Sequence, residues 1–142
     1  MSKKKKVLIL CTSNSCRSQM TEGLVNYELS DSWMAFSAGV EPSSVNPRAV
    51  KVMAEIGIDI SGSRSKSVEE FLARDDLDLV ITVCDHAKET CPVFLQPVEQ
   101  VHMSFEDPAP YNDGPDEIAL SKLREIRDKI RKELLPYLKN RR

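Results

Sequence analysis

Apolar residues gather in short unbroken runs through much of the chain and then spread into a helical stripe near its end. Val7-Leu8-Ile9-Leu10 is one such run, the pattern of a strand buried on both faces. A helix is expected from about Arg17 to Leu29, and Trp33 to Ala38 reads as a second strand closed by Gly39. Asn46-Pro47 predicts a helix start, with the asparagine side chain as cap and proline at the first helical position. Val50, Met53 and Ala54 give that helix its apolar set, and Gly57 ends it. Ser67 and Glu70 stand at capping-box spacing and predict another helix through Leu72. Leu77 to Val83 and Val98 to Met103 read as the third and fourth strands. From Asp116 onward, Ala119, Leu123, Ile126, Ile130, Leu134 and Leu138 recur at three- and four-residue steps, so the last element is a long amphipathic helix. Strands alternating with helices predict one α/β domain over residues 1–142, with a parallel sheet covered on both faces.

Composition narrows the class. Apolar residues at 41% and charged ones at 30% are the balance of a soluble globular protein. A formal net charge of -2 gives no global field to gather nucleic acid or an acidic membrane surface. The basic runs Lys3 to Lys6 and Lys139, Arg141 and Arg142 read as frayed, solvated ends. Lysines before Val7 resemble the start of a signal peptide, but the apolar run stops at Cys11, short of the about 7–15 residues such a segment needs. No stretch approaches the roughly 20 apolar residues of a membrane span. A cytoplasmic monomer is expected. In that reducing compartment four cysteines point to catalysis or metal binding before structural disulfides.

Cys11-Thr12-Ser13-Asn14-Ser15-Cys16-Arg17-Ser18 carries the most chemistry. A thiol follows a buried strand, five residues intervene, and an arginine opens a helix. Small polar residues at 12–15 let successive backbone N–H groups turn inward around an anion. The helix N-terminus adds free N–H groups and a partial positive charge. Arg17 offers a planar fork to two oxygens of a tetrahedral oxyanion. The same field favours the anionic form of Cys11, and Ser18 is placed to donate to its sulfur. Cys16 has no catalytic role of its own here; it contributes backbone and packs as a small hydrophobe. In an α/β sheet this site lies at a strand's carboxyl end, where such folds bind ligands.

These residues resemble the phosphate loop of low-molecular-weight protein tyrosine phosphatases and their arsenate reductase relatives. Ser18-Gln19-Met20-Thr21-Glu22-Gly23, Ser37-Ala38-Gly39-Val40 and Val45-Asn46-Pro47 are more similar to the reductase branch, and the likeness runs from Val7 to the last helix. It implies a flavodoxin-like, three-layer fold with a four-stranded parallel sheet. It also implies arsenate as substrate, with phosphate or sulfate as competing anions, and an oxyanion site made by Thr12, Ser13, Asn14, Ser15, Cys16 and Arg17. Asp107, in Phe105-Glu106-Asp107-Pro108, is by the same resemblance the proton donor to the departing oxygen. Phosphatase relatives usually carry tyrosines just after that Asp-Pro to grip an aryl ring. Here Ala109 and Pro110 follow, and Tyr111 is displaced.

Cys84 and Cys91 separate the branches. Oxyanion reduction takes two electrons, so a lone thiol cannot finish as a disulfide; a second must resolve it and a third can carry the oxidised pair outward. The pair after the third strand resembles the redox segment of thioredoxin-coupled arsenate reductases, and thioredoxin is the reductant this implies, with no tightly bound cofactor. If Cys84 to Cys91 were helical, seven steps of ~1.5 Å would hold their Cα atoms ~10 Å apart, and a disulfide tolerates at most about 7 Å. Oxidation must therefore reshape the segment. Residues 85–90 contain no large apolar side chain to resist this, and Pro92 favours an extended Cys91 near the surface.

Some arsenate reductases of this family hold potassium near the loop. Asn14, Glu22 and Ser37 match its ligand positions, and Lys66 stands where the fourth ligand is an aspartate. An ammonium there replaces the ion, so no potassium requirement is expected. Three other readings stay open from the residues alone. One is a phosphatase whose extra cysteines guard against oxidation, and another is an oxyanion-binding or thiol-sensing module that does no chemistry. The third is a metal site from Cys84, His86, Cys91 and His102, weakened by the lack of a CxxC unit.

Overall fold

The computed structural model describes residues 3–141. Strands β1 (Lys5–Cys11), β2 (Trp33–Gly39), β3 (Leu79–Thr82) and β4 (Glu99–His102) alternate with helices α1 (Arg17–Glu28), α2 (Pro47–Ala54), α3 (Asp85–Thr90) and α4 (Asp116–Lys139). The sheet is wholly parallel in the order β2-β1-β3-β4. In β1, Val7 through Leu10 are all fully buried although successive side chains face opposite sides. Both faces of the sheet are therefore covered, as the aliphatic run required.

The fold places the two reactive segments side by side. β1 lies between β2 and β3, so the chain leaves it in one direction and returns on the other, and a crevice opens at the strands' carboxyl ends. Cys11 ends β1 opposite Gly39, and Leu10 pairs with Thr82 of β3, which puts Cys84 just past the same edge. Gly39 is required there. A Cβ on it would lie 2.6 Å from the Thr12 carbonyl oxygen and 2.9 Å from the Asn14 nitrogen. β2 is an edge strand, and Asn26 closes its open side by bonding both the N–H and the C=O of Ala35. The Trp33 indole N–H donates to the Leu138 carbonyl at 3.2 Å, which ties the end of α4 to the strand's start. α4 buries Ala119, Leu123, Ile126, Ile130, Leu134 and Leu138, the stripe read from sequence.

Several elements differ from expectation. β3 and β4 are shorter than the apolar runs that suggested them. α2 begins at Pro47 with the Asn46 side chain accepting from Arg48 N–H, and Gly57 follows it at φ +81, but its buried face is Ala49, Val52 and Met53 while Ala54 is exposed. Ser67 starts only a single 3-10 turn, Val68–Phe71. Its hydroxyl accepts from Glu69 N–H, and the Glu70 carboxylate reaches Arg64 instead of closing a capping box. Nor are the basic ends merely frayed. Lys6 lies in β1 and pairs with Asp76 at 3.1 Å, and Arg141 pairs with Glu99.

Gly39→Ala should push the Thr12–Asn14 backbone outward at a cost of about 1–3 kcal/mol. The check is thermal unfolding beside catalytic turnover: stability should fall modestly and turnover by at least tenfold, and a variant with full activity would show that the loop tolerates the displacement.

Candidate active site

The loop from Cys11 to Arg17 is held open from outside. The carbonyls of Cys11, Thr12, Ser13 and Ser15 accept from the N–H groups of Val40, Glu41, Ser43 and Asn46, at 2.8 to 3.2 Å. The Ser65 hydroxyl also donates to the Ser13 carbonyl at 2.8 Å. With its carbonyls fixed outward, the loop turns amides inward, and no side chain caps the N-terminus of α1 at Cys16. First-turn N–H groups left free in this way bind an anion.

Asn14 is the keystone of the turn. It is fully buried at φ 52, a left-handed conformation that asparagine tolerates better than most residues but that still costs on the order of 1 kcal/mol. Its Oδ1 accepts from Lys66 N–H at 2.9 Å and from the Gln19 amide at 3.0 Å. Since the Lys66 amide can only donate, Oδ1 must face it, and Nδ2 donates to Ser18 Oγ at 2.7 Å. Three bonds at about 0.5–1.5 kcal/mol each outweigh the backbone strain. With its oxygen so engaged, the Ser18 hydroxyl sends its own hydrogen to Cys11 Sγ at 2.9 Å, and Asn14 N–H donates to the same sulfur at 3.2 Å. Two donors aimed at one sulfur suit a thiolate.

Cys11, Ser13, Ser15, Cys16, Arg17 and Asp107 line a cavity of about 60 Å³ together with Asn46, Pro108, Ala109 and Asn112. That is several-fold below the roughly 300 Å³ at which pockets for drug-sized ligands begin, and suits an ion of a few atoms. Arg17 Nη1 donates to the Phe105 carbonyl at 3.2 Å, and its Nη2 lies 3.6 Å from Asp107, so the fork is oriented in advance. Asp107 accepts from Ala109 N–H at 2.9 Å, and its side chain is 58% exposed. Solvent therefore reaches this carboxyl group directly. Tyr111 turns its hydroxyl to Glu106 and its ring to Lys122, away from the cavity.

Burial raises the Cys16 thiol to about 11, in keeping with a bystander packed beneath the loop. Behind the cradle, Glu22 is raised above the ordinary carboxylate range by burial, against the opposing charge of Lys66. Lys66 Nζ lies 3.8 Å from Glu22 and 3.1 Å from the Arg64 carbonyl, and Ser37 faces the same carboxylate. The four residues read as a cation site or its lysine substitute thus share one corner.

Cys84 is buried and caps α3: its Sγ accepts from Ala87 N–H at 3.4 Å and meets Thr12 Oγ1 at 3.3 Å. Thr12 therefore bridges the cradle and the second thiol. A cavity of about 410 Å³ runs from Arg17 and Asp107 to Cys84, Asp85 and His86. Residues 85–90 form a helix, so the segment expected to reshape has an ordered form to leave. Cys91 follows it half-buried, extended as Pro92 demands, with its thiol raised by burial. All four cysteines are free thiols. The histidines weighed as metal ligands point elsewhere: His86 pairs with Glu41 at 3.1 Å, and His102 bonds Thr82 and Asp85. Sequence reading missed Asn112 altogether and saw Asn46 only as a helix cap. Nothing local marks either as cavity-lining.

The description of low molecular weight phosphotyrosine protein phosphatases matches residues 6–141. An arsenate reductase of Halalkalibacterium halodurans is 47% identical over 134 residues, which cover 94% of this chain and 95% of that protein. Among solved structures, an arsenate reductase in the phosphate binding state superposes with a TM-score of 0.78 at 34% identity, covering 95% of this chain and 97% of that one. A low molecular weight protein tyrosine phosphatase from T. tengcongensis gives 0.67 at 30% identity, with 92% and 99% covered. The match over nearly the whole chain and the named relatives agree: the chain belongs to the low molecular weight phosphotyrosine protein phosphatase family, in its arsenate reductase branch.

Proposed function

We propose that this chain reduces arsenate to arsenite through Cys11, Cys84 and Cys91, with thioredoxin restoring the thiols. The observation that carries this reading is Cys84 Sγ 3.3 Å from the hydroxyl of Thr12, the residue next to the nucleophile. Phosphate ester hydrolysis at Cys11 has no use for a second thiol there. The identity to named arsenate reductases supports the substrate, and the small cavity over Cys11 suits an inorganic anion.

The chemistry divides into three displacements. Loop amides of residues 12–16 and the Arg17 fork hold the arsenate oxygens while the Cys11 thiolate, steadied by Ser18, attacks arsenic. An oxygen departs as hydroxide and takes a proton from Asp107, giving water and a Cys11–arsenic bond. Cys84 then attacks Cys11 Sγ. The sulfur–arsenic bond breaks, its electron pair stays on arsenic, and arsenite leaves behind a Cys11–Cys84 disulfide. Cys91 attacks Cys84, releases the Cys11 thiolate and leaves Cys84–Cys91, which two thiols of thioredoxin reduce. Such thiol turnover suits the reducing cytoplasm, and a single chain holds every group required.

Lys66 Nζ near Glu22 supplies, in this account, the positive charge that a bound cation would otherwise provide behind Asn14. Phosphate and sulfate, of like shape and charge, compete for the cradle.

The test is arsenate-dependent NADPH oxidation with thioredoxin and thioredoxin reductase. Wild type should turn over many times. Cys84→Ser and Cys91→Ser should lose turnover by more than a hundredfold while keeping p-nitrophenyl phosphate hydrolysis within about threefold, and Cys11→Ser should lose both. Thioredoxin-dependent turnover persisting in Cys84→Ser would sink the thiol assignment. Exchanging potassium for sodium at constant ionic strength should leave the rate unchanged within twofold; a several-fold loss would show that Lys66 does not replace the cation.

A further inference from the structure

The two histidines of the chain, His86 and His102, both serve the first turn of α3. His102 Nε2 meets Asp85 Oδ1 at 2.9 Å, and its Nδ1 meets Thr82 Oγ1 at 2.8 Å. An ionised carboxylate only accepts, so Nε2 carries the hydrogen, and in the neutral ring the buried Thr82 hydroxyl donates to Nδ1. A side chain of β3 thus orients an imidazole of β4, and that imidazole holds the first residue of α3. On the other side, His86 Nε2 meets Glu41 Oε2 at 3.1 Å, from the segment after β2. Lys88 and Ser104 also bear on the Asp85 carboxylate.

The held turn is the one that the redox chemistry must disturb. Cys84 Sγ caps α3 through Ala87 N–H. A helical span keeps the two Cα atoms ~10 Å apart, beyond the about 7 Å that a disulfide permits. Ala87 is the sole buried side chain of α3, so little packing opposes opening. What resists it is the polar tie at Asp85 and His86.

We propose that His102, oriented by Thr82 and joined to Asp85, is a positioning residue that stabilises the dithiol form of the Cys84/Cys91 couple and so raises its reduction potential. The proposal rests on the Cys84–Cys91 step of the function above. An interaction present when the segment is helical and lost when it opens favours the reduced form. Thioredoxin then finds a disulfide that is easier to reduce, and Cys84 stays capped beside Thr12 until Cys11 needs it. The Asp85–His102 contact is the stronger tie, because the imidazole is only 22% exposed although the carboxylate is 78% exposed. Glu41 and His86 are both open to solvent and contribute less.

The experiment equilibrates the full chain with mixtures of reduced and oxidised dithiothreitol at fixed pH. The two thiols pass two electrons and two protons to the reagent's disulfide, which becomes its dithiol. Acid quenching, alkylation and peptide mass spectrometry read the Cys84–Cys91 fraction. His102→Gln and Asp85→Asn should each shift the equilibrium about 3–10-fold toward the disulfide, which at 29.6 mV per tenfold is about 14–30 mV more negative. Asp85→Asn leaves the buried side of His102 intact, which guards against a folding defect in the histidine variant. Glu89→Gln removes the same charge from the same helix and should not move the potential. A Cys84–Cys91 bond that forms in wild type with an unchanged potential in both variants would overturn the positioning role alone. Oxidation of wild type without that bond would overturn both this role and the cascade beneath it.

Discussion

The anion site depends on the peptide carbonyls of residues 11, 12, 13 and 15 being bound on their outer side. Amide and carbonyl point in opposed directions along the chain, so fixing one set outward leaves the other for a ligand. Four backbone N–H groups from the segment after β2 do this work, which is why Gly39 must let that segment come so close. Asn14 then fixes the one residue that has to enter the left-handed region. Its side chain joins the loop to Lys66 and Gln19 on one side and to Ser18 on the other. A single buried amide thus sets both the shape of the cradle and the direction in which the Ser18 hydroxyl donates to Cys11.

Strand order supplies the second thiol. β1 and β3 are neighbours although their ends, Cys11 and Thr82, lie far apart in the chain, and both finish at the same edge of the sheet. Any residue one or two positions past β3 must therefore lie near the loop after β1. Cys84 occupies that place, and Thr12 joins it to the cradle. Cys91 sits at the far end of a six-residue helix with little core of its own. In the proposed function, a nucleophile on a rigid strand end beside a resolving thiol on a lightly held helix suits chemistry in which one site stays fixed and the other moves.

How much of this could be read from the chain follows from how local each feature is. The Cys11 loop is eight consecutive residues and shows itself without the fold. The alternation of aliphatic runs with helical stripes pointed to the sheet; the electron count called for further thiols, and the family resemblance marked Cys84 and Cys91 as those thiols. α3 was not legible: residues 85–90 are polar apart from Ala87, so no periodicity marks them, and the helix forms around a cysteine cap. The Thr82–His102–Asp85 chain joins residues 17 and 20 apart through sheet pairing, and Asn112 reaches the cavity only after a turn that follows Pro108. Ser67 and Glu70 had the spacing of a capping box, but Arg64 took the glutamate. Asp107 was marked as a proton donor by resemblance alone; its place beside Arg17 and its exposure follow from the loop's path and are not written in its dipeptide.

The most direct test of the central claim, that these thiols themselves supply the two electrons, is a single turnover without any external reductant. Fully reduced protein mixed with excess arsenate should release about one arsenite per chain and lose two free thiols, with the final disulfide between Cys84 and Cys91. Arsenate consumed without arsenite, or arsenite formed while every thiol remains free, would contradict the account.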